Sequence, residues 1–276
     1  MASVDINYEE NWKAAPYDVS FADDLIISTN QNKYYAIHNE VGTLLSLEIS
    51  DTGAIQILVT TKISSEASND ILLKVVFPFM VYRLTSNNTI LLHSTCISNG
   101  KNTIAFLGRS TVGKSTLAGF FSENTNYCIL TDDVLPVVIE DGNVYSYHLP
   151  TMLKLNSDSM VYLGKTIENN PSERYLIRQT SQWGQRIKLN SIYLLDPAVA
   201  TSEIHLHALT GITDRMRLIV ENLYAQQLGK LDNRFLSKAS KLARADISFC
   251  RATYKKKWSL ISILMYAILG KEGDLK

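Results

Sequence analysis

The feature that most constrains the fold is a glycine-containing loop that lies between two apolar segments near the middle of the chain. Residues 103–107 form a short apolar run, which is typical of a buried strand. The positions from Gly108 to Ser115 then match G-x-x-x-x-G-K-[ST] without a mismatch, and apolar residues follow Thr116 as they would in a helix. The order of strand, glycine loop and helix predicts a phosphate-binding loop in an α/β domain.

Each residue type in this loop suits the binding of phosphate. Gly108 and Gly113 allow backbone conformations in which successive N–H groups point inward around an anion. The helix that begins near Gly113 adds the positive end of its dipole. Lys114 supplies a charge for the β and γ phosphates, and Ser115 offers a hydroxyl to Mg²⁺. The predicted nucleotide-binding residues are Gly108, Arg109, Ser110, Thr111, Val112, Gly113, Lys114, Ser115 and Thr116.

Two adjacent acids follow the next apolar segment, residues 127–131, and are the candidates for catalysis. Ligands of α/β sheets lie beyond the carboxyl ends of strands, so Asp132 and Asp133 are expected near the phosphates. Neighbouring residues of a strand face opposite sides, so only one of the two faces the site unless the chain turns there. The alternative interpretation is an acidic turn that only ends the strand.

A histidine lies on the strand that precedes the loop. Residues 89–98 and 102–107 read as two strands joined at Asn99-Gly100, a pair typical of a type I′ turn, which places His93 beside the loop. A lone histidine near an apolar run is more often a core residue. A second hairpin is predicted at Asp141-Gly142.

Composition excludes several classes of function. Lysine plus arginine and aspartate plus glutamate both number 27, so the formal charge is zero, which argues against a broad nucleic-acid or membrane surface. The three cysteines are scattered without metal-ligand spacing. The N-terminus has no signal-peptide pattern, and residues 258–269 are too short a run for a membrane span. A cytoplasmic protein is expected.

The chain divides into a β-rich region over residues 1–88 and an α/β domain over 89–276. The ambiguous run at 71–84 favours a bent helix, because Pro78 would kink it. Further on, two helices broken near Gly229, a strand at 246–254, a solvated Lys255-Lys256-Lys257 run and a last helix at 258–269 are predicted. The predicted strands of the first region are 25–28, 33–37, 43–49 and 54–59, and those after the hairpin are 189–195 and 204–209.

Taken together, His93, the loop at 108–116 and Asp132-Asp133 resemble the HPr kinase/phosphorylase family over roughly residues 89–160. The end of the chain is similar to the shorter HPr-kinase-like proteins of bacterial peptide biosynthetic clusters, some of which phosphorylate the C-terminal serine of a lasso-peptide precursor. The resemblance implies a P-loop kinase core of the HPr kinase type with a mixed sheet. Thr116 stands where HPr kinases carry an acid, and no segment for the phosphorylase reaction is found.

The resemblance implies an ATP- and Mg²⁺-dependent serine kinase, with a precursor peptide or protein as its partner. The oligomeric state stays open, with a homo-oligomer among the alternatives. In this reading Lys114 holds the phosphates, and Ser115 and Asp133 bind Mg²⁺. Asp132 is favoured as the base that accepts the hydroxyl proton, and His93 orients an aspartate. Two alternatives stay open, a nucleotide-dependent switch and a non-catalytic peptide-binding protein. The N-K-x-D motif common in such switches is not found.

Overall fold

The computed structural model describes five stretches of the chain in full and several short strands by their backbone alone. The five stretches are 89–148, 153–165, 185–198, 203–224 and 233–274, without the side chains of Lys154, Asn233 and Arg234. The bent helix predicted at 71–84, Gly229 and the boundary predicted at residue 88 lie outside the described residues, so those predictions stay predictions. The chain divides into two compact units, Met1–Val75 with Ala225–Leu231, and Val76–Tyr224 with Asp232–Lys276.

The first unit contains a six-stranded sheet. Its strand order is β1-β6-β5-β4-β3-β2, and every pair is antiparallel except β1 with β6. The four strands predicted in this region are confirmed, each within a residue or two of its predicted ends. The strands are β1 Val4–Glu9, β2 Val19–Ala22, β3 Leu25–Asn30, β4 Lys33–His38, β5 Gly42–Ile49 and β6 Ile55–Thr60.

The second unit is a mixed α/β structure around a nine-stranded sheet, which confirms the predicted α/β class with a mixed sheet. Both helices predicted on either side of Gly229 and the last helix are present. The strands are β7 Thr89–Ser98, β8 Thr103–Leu107, β9 Cys128–Thr131, β10 Val134–Glu140, β11 Asn143–Tyr147, β12 Leu153–Lys154, β13 Arg174–Tyr175, β14 Arg186–Lys188, β15 Ser191–Pro197, β16 His205–Ala208 and β17 Ser248–Tyr254. The helices among the described residues are α1 Lys114–Asn124, α2 Ser157–Tyr162, α3 Ile212–Glu221, α4 Asn233–Arg244 and α5 Ile261–Glu272.

Strand β7 brings the loop and the acids to one place. On one side, Ser94 pairs with Leu107 of β8 in antiparallel register. On the other side, β9 and β10 continue each other along β7, and the backbone N–H of Ser94 donates to the carbonyl of Asp133 between them (3.2 Å). Since β8 and β9 both run antiparallel to β7, their carboxyl ends lie at the same level of the sheet. The loop and the two acids therefore lie on either side of one strand.

Helices α1 and α5 cover the sheet over β8, β15 and β17. These strands are parallel to one another. β8 is buried throughout, as expected for a strand of near-continuous apolar sequence, whereas β17 has Ser248 and Arg251 exposed. Phe106 on β8 packs against Phe121 of α1 and Tyr193 of β15, with ring centroids 5.7 and 6.4 Å apart. This core fixes the strand and the helix that carry the two ends of the loop.

The turn between β7 and β8 differs from the type I′ prediction. Ser98 pairs with Thr103, so the connection has four residues, and only Gly100 within it has a positive φ, at 84°. The side-chain carbonyl of Asn99 accepts from the backbone N–H groups of Lys101 and Asn102 at 2.9 and 2.7 Å. The hydrogen bonds of the Asn99 side chain stabilise this turn, in place of the second left-handed residue that a type I′ turn requires. The Asp141-Gly142 turn has both residues at positive φ, as predicted.

Candidate functional site

The loop from Gly108 to Gly113 leaves the end of β8 and enters α1 at Lys114, so the predicted order of strand, loop and helix is present. Gly108 has φ 144°, and a Cβ added there would lie 2.8 Å from the carbonyl oxygen of Leu195 and 2.9 Å from a methyl group of Val112. Gly113, the N-cap of α1, has φ 103° and open space around it. Both glycines are needed for backbone conformation, and Gly108 is also needed for space.

A Gly108→Ala substitution is expected to destabilise the fold more than Gly100→Ala. Both positions have positive φ, but a Cβ at Gly100 meets no atom within 4 Å, so that variant isolates the cost of backbone strain. At Gly108 the added Cβ also clashes with the backbone carbonyl of Leu195, which should lower the free energy of unfolding by about a further 1–3 kcal/mol. Urea denaturation of the two variants measures the difference. Equal losses would show that the close approach to Leu195 does not matter.

Lys114 reaches back over the start of the loop. Its Nζ donates to the carbonyl oxygens of Gly108 (2.8 Å) and Arg109 (3.3 Å), and the residue is 6% exposed. Burial lowers the pKa of the Lys114 ammonium, and the negative charges of Asp133 and Asp132 oppose that shift. A buried ammonium held near two carboxylates is suited to meet further negative charge.

Asp132 is joined to the loop through hydroxyl groups. Its Oδ1 accepts from Ser115 Oγ (2.9 Å) and from Thr95 Oγ1 (2.5 Å), and the residue is 6% exposed. Ser115 lies in the first turn of α1 and Thr95 on β7, so two elements fix this carboxylate. Sequence reasoning missed Thr95, although it lies two positions after His93 and so shares its strand face.

Asp133 differs from its neighbour in conformation and exposure. It has φ 68°, a left-handed turn that interrupts the line from β9 to β10. Its side chain is 41% exposed, and its Oδ1 lies 4.0 Å from Nε2 of His93. The chain therefore turns at the two acids, as the sequence required if both were to lie near the loop. Burial raises the pKa of Tyr224 to about 12, and the charge of Asp133 adds to that shift, so this tyrosine belongs to the same neighbourhood.

The imidazole of His93 lies between charges of opposite sign. Burial and the charge of Lys114 lower its pKa, while Asp133 opposes the shift. A histidine whose pKa is lowered on folding takes up its proton more readily in the unfolded chain. Its contribution to stability is therefore present above the unfolded pKa, about 6.5, and is lost as pH falls through the lower folded value.

A His93→Gln variant is accordingly expected to lose less stability than the wild type between pH 7 and pH 5. The slope that one group contributes is at most about 1.4 kcal/mol per pH unit. Urea denaturation of the variant and the wild type at a series of pH values measures the difference in slope. A His93→Gln variant with the wild-type slope would show that His93 is not in this environment.

The loop is also held by Tyr254, the last residue of β17, and by Lys256, two positions after it. The Tyr254 hydroxyl donates to the carbonyl of Val112 (2.8 Å), and Lys256 Nζ donates to the carbonyl of Thr111 (2.5 Å). Lys256 is exposed, as expected for the solvated Lys255-Lys256-Lys257 run, and its ammonium also bonds to the loop. The contact could not be read from sequence, because 145 positions separate the two residues.

The structure brings together most of the predicted site residues. Arg109, Ser110 and Thr111 form the exposed part of the loop, and Val112 is buried under it. Thr116 faces away, with its hydroxyl 2.9 Å from that of Ser159 on α2. Among the cations outside the loop, Arg186 pairs with Glu140 at 2.6 Å, and the side chains of Lys154, Arg174 and Arg178 lie outside the described residues.

The donor set fits a magnesium nucleotide. Mg²⁺ prefers oxygen ligands such as hydroxyls and carboxylates. Ser115 Oγ and Asp132 Oδ1 supply one of each and lie 2.9 Å apart. The loop glycines, the N-terminus of α1 and Lys114 supply what a polyphosphate requires. In the described stretches no group of three or more histidine, cysteine or acidic side chains is placed to bind a metal alone. Such a group is not required where phosphate oxygens complete the coordination of Mg²⁺.

None of the helices in the described part of the chain has the length and apolar character needed to cross a bilayer.

No family model matches the chain, and no curated protein matches it. The structure of the Hpr(Ser) kinase/phosphatase from Coxiella burnetii is similar at 11% sequence identity and a TM-score of 0.35, covering 66% of this chain and 93% of that one. Function is therefore inferred below from the residues of the chain itself.

Proposed function

We propose that the protein is a kinase that transfers the terminal phosphoryl group of ATP to a hydroxyl group. The observation that carries the proposal is the bond from Ser115 to Asp132, which joins the hydroxyl at the end of the glycine loop to a buried carboxylate (2.9 Å). Beside it lies a second, half-exposed carboxylate, Asp133. A loop for phosphates, a pair of Mg²⁺ ligands and a free acid are the parts that phosphoryl transfer to an alcohol needs.

The geometry favours a division of roles between the acids that is the reverse of the one suggested by sequence. Asp132 is buried and already bonded to the Ser115 and Thr95 hydroxyls, so it is placed to hold Mg²⁺ with Ser115 and has little access to an acceptor. Asp133 is 41% exposed and approaches His93, so an acceptor hydroxyl can reach it. Asp133 is therefore proposed as the group that takes the acceptor proton, and His93 as the residue that orients it.

The balance of the step is simple. The acceptor oxygen bonds to the terminal phosphorus, the bond between that phosphorus and the bridging oxygen breaks, ADP leaves and the acceptor proton passes to Asp133. Bound Mg²⁺ supplies charge stabilisation on the phosphate oxygens. Lys114 contributes a fixed positive charge, and the loop N–H groups contribute preorganised dipoles.

The acceptor is proposed to be a serine of a peptide or protein, most specifically the C-terminal serine of a lasso-peptide precursor. The serine acceptor comes from the sequence resemblance at His93, the loop and the two acids. The lasso-peptide precursor comes from the similarity of the end of the chain to the shorter HPr-kinase-like proteins. It can be tested with the purified full chain, Mg²⁺ and ATP labelled at the γ phosphate. Two synthetic peptides are offered, one that ends in serine and the same peptide ending in alanine.

The proposal expects label on the serine peptide as phosphoserine and none on the alanine peptide. Label on serine side chains within both peptides would keep the kinase and refute the C-terminal preference. ATP binding without transfer to either peptide would favour the nucleotide-dependent switch. Failure to bind ATP in the presence of Mg²⁺ would favour a non-catalytic role.

A further inference from the structure

Asn222 lies at the C-terminal end of α3 and contacts the first residue of the loop. Its side-chain oxygen Oδ1 accepts a hydrogen bond from the backbone N–H of Gly108 at 2.9 Å. The residue is 7% exposed, and 114 positions of sequence separate it from Gly108. A long-range bond to the backbone of a phosphate loop is a specific feature, because most buried N–H groups are satisfied within secondary structure.

The other end of the same amide fixes which atom faces the loop. Asn222 Nδ2 donates to the carbonyl of Leu218 in the last turn of α3 at 2.8 Å. A flipped amide would place its NH₂ group against the N–H of Gly108 and its oxygen against the carbonyl of Leu218, so both bonds would become repulsive contacts. The orientation is therefore determined, and the side chain acts as a rigid link between helix and loop.

The backbone of Asn222 joins a second part of the site. Its carbonyl accepts from the backbone N–H of His93 at 2.8 Å, and the next residue, Leu223, pairs with Leu92 on β7. Tyr224, which follows Leu223, lies near enough to Asp133 to be affected by its charge. The short segment 222–224 thus runs along β7 beyond the end of β8, and Asn222 contacts both the loop and His93.

We propose that Asn222 is a positioning residue that fixes the entry of the phosphate loop relative to His93. Gly108 is held on both of its backbone polar groups, its N–H by Asn222 and its carbonyl by Lys114 Nζ at 2.8 Å. The N–H of Gly108 is thereby committed to the protein, and the amides further along the loop are left for phosphate. This inference rests on the proposed function and names a residue that the loop motif does not contain.

The test compares Asn222→Leu with a matched control, Asn190→Leu. Asn190 makes the same kind of bond at the opposite end of β8, where its Oδ1 accepts from the backbone N–H of Thr103 at 2.9 Å. Each variant removes a side-chain acceptor from one backbone N–H group, that of Thr103 at the start of β8 or that of Gly108 directly after its end. Asn222→Ala, which removes the same oxygen without adding bulk, serves if leucine is not accommodated.

Two readouts separate positioning from stability. The dissociation constant for ATP with Mg²⁺ is expected to rise about tenfold to hundredfold in Asn222→Leu, because an unsatisfied buried N–H leaves the loop free to move. The KM for ATP should rise with it, and kcat at saturating ATP should change less, since bound nucleotide restores the loop. Hydrogen exchange at the Gly108 amide should become faster in Asn222→Leu and stay slow in Asn190→Leu.

Unchanged ATP affinity and unchanged exchange at Gly108 in both Asn222 variants would overturn the inference while the kinase proposal stands. An equal loss of ATP affinity in Asn190→Leu would also overturn it, because the effect would then be one of stability. A wild-type protein that binds no ATP would refute the proposed function itself, and the positioning role would fall with it.

Discussion

Replacing Lys114 by methionine is expected to lower kcat/KM for ATP by about a thousandfold or more while the protein stays folded. The ammonium is a buried positive charge bonded to the first residues of the loop, and charge stabilisation is the main contribution that a protein makes to phosphoryl transfer. Methionine has a similar length and no charge. Steady-state kinetics at saturating Mg²⁺ measures the loss.

The stability of the same variant gives an independent check. Burial lowers the pKa of Lys114, so the folded protein holds this charge at a cost that methionine removes. That gain opposes the loss of the bonds to the carbonyls of Gly108 and Arg109, so the free energy of unfolding should be close to that of the wild type. Lys101→Met, at an exposed lysine of the turn before β8, is the control and should keep full activity. Activity of Lys114→Met within tenfold of the wild type would show that the loop does not bind the transferred phosphate in the proposed way.

Asp133→Asn is expected to reduce kcat by about 10²–10⁴-fold with little change in ATP affinity. The loss is that of a general base, and asparagine keeps the shape of the side chain. Asparagine also tolerates the left-handed conformation of Asp133, φ 68°, so backbone strain does not enter the comparison. Single-turnover kinetics together with nucleotide titration separates the chemical step from binding.

Asp132→Asn is the partner experiment and should behave differently. The buried carboxylate of Asp132 accepts from two hydroxyls, so its loss is expected to lower stability by about 1–3 kcal/mol and to raise the Mg²⁺ concentration needed for half-maximal activity. If Asp133→Asn instead changed the Mg²⁺ requirement and Asp132→Asn removed turnover with Mg²⁺ dependence unchanged, the division suggested by sequence would be the correct one. Full activity of the double variant would refute the mechanism.

The parts of the fold that sequence predicted are those governed by local rules. The apolar run before Gly108, the glycine loop and the helix after it are each specified by neighbouring residues, and so are the strands of the first unit. The Asp141-Gly142 turn was likewise readable, because both residue types favour positive φ. The Asn99-Gly100 turn was not, since the side chain of Asn99 bonds to the backbone two and three residues later and moves the turn.

The division of the acids depends on tertiary structure and could not be read from two adjacent letters. Asp132 differs from Asp133 because Thr95 and Ser115, on two other elements, donate to it. The same holds for Asn222 and Lys256, which reach the loop from positions more than 100 residues away. A motif records the residues that touch phosphate, whereas the residues that hold the loop in place are specified by packing alone.

The most direct test of the central claim is a crystal structure of the protein with Mg²⁺ and a non-hydrolysable ATP analogue. The account predicts the β and γ phosphates within hydrogen-bonding distance of the loop N–H groups and of Lys114, Mg²⁺ beside Ser115 and Asp132, and Asp133 facing the terminal phosphorus. A triphosphate bound elsewhere on the protein, or a terminal phosphorus turned away from both carboxylates, would contradict it.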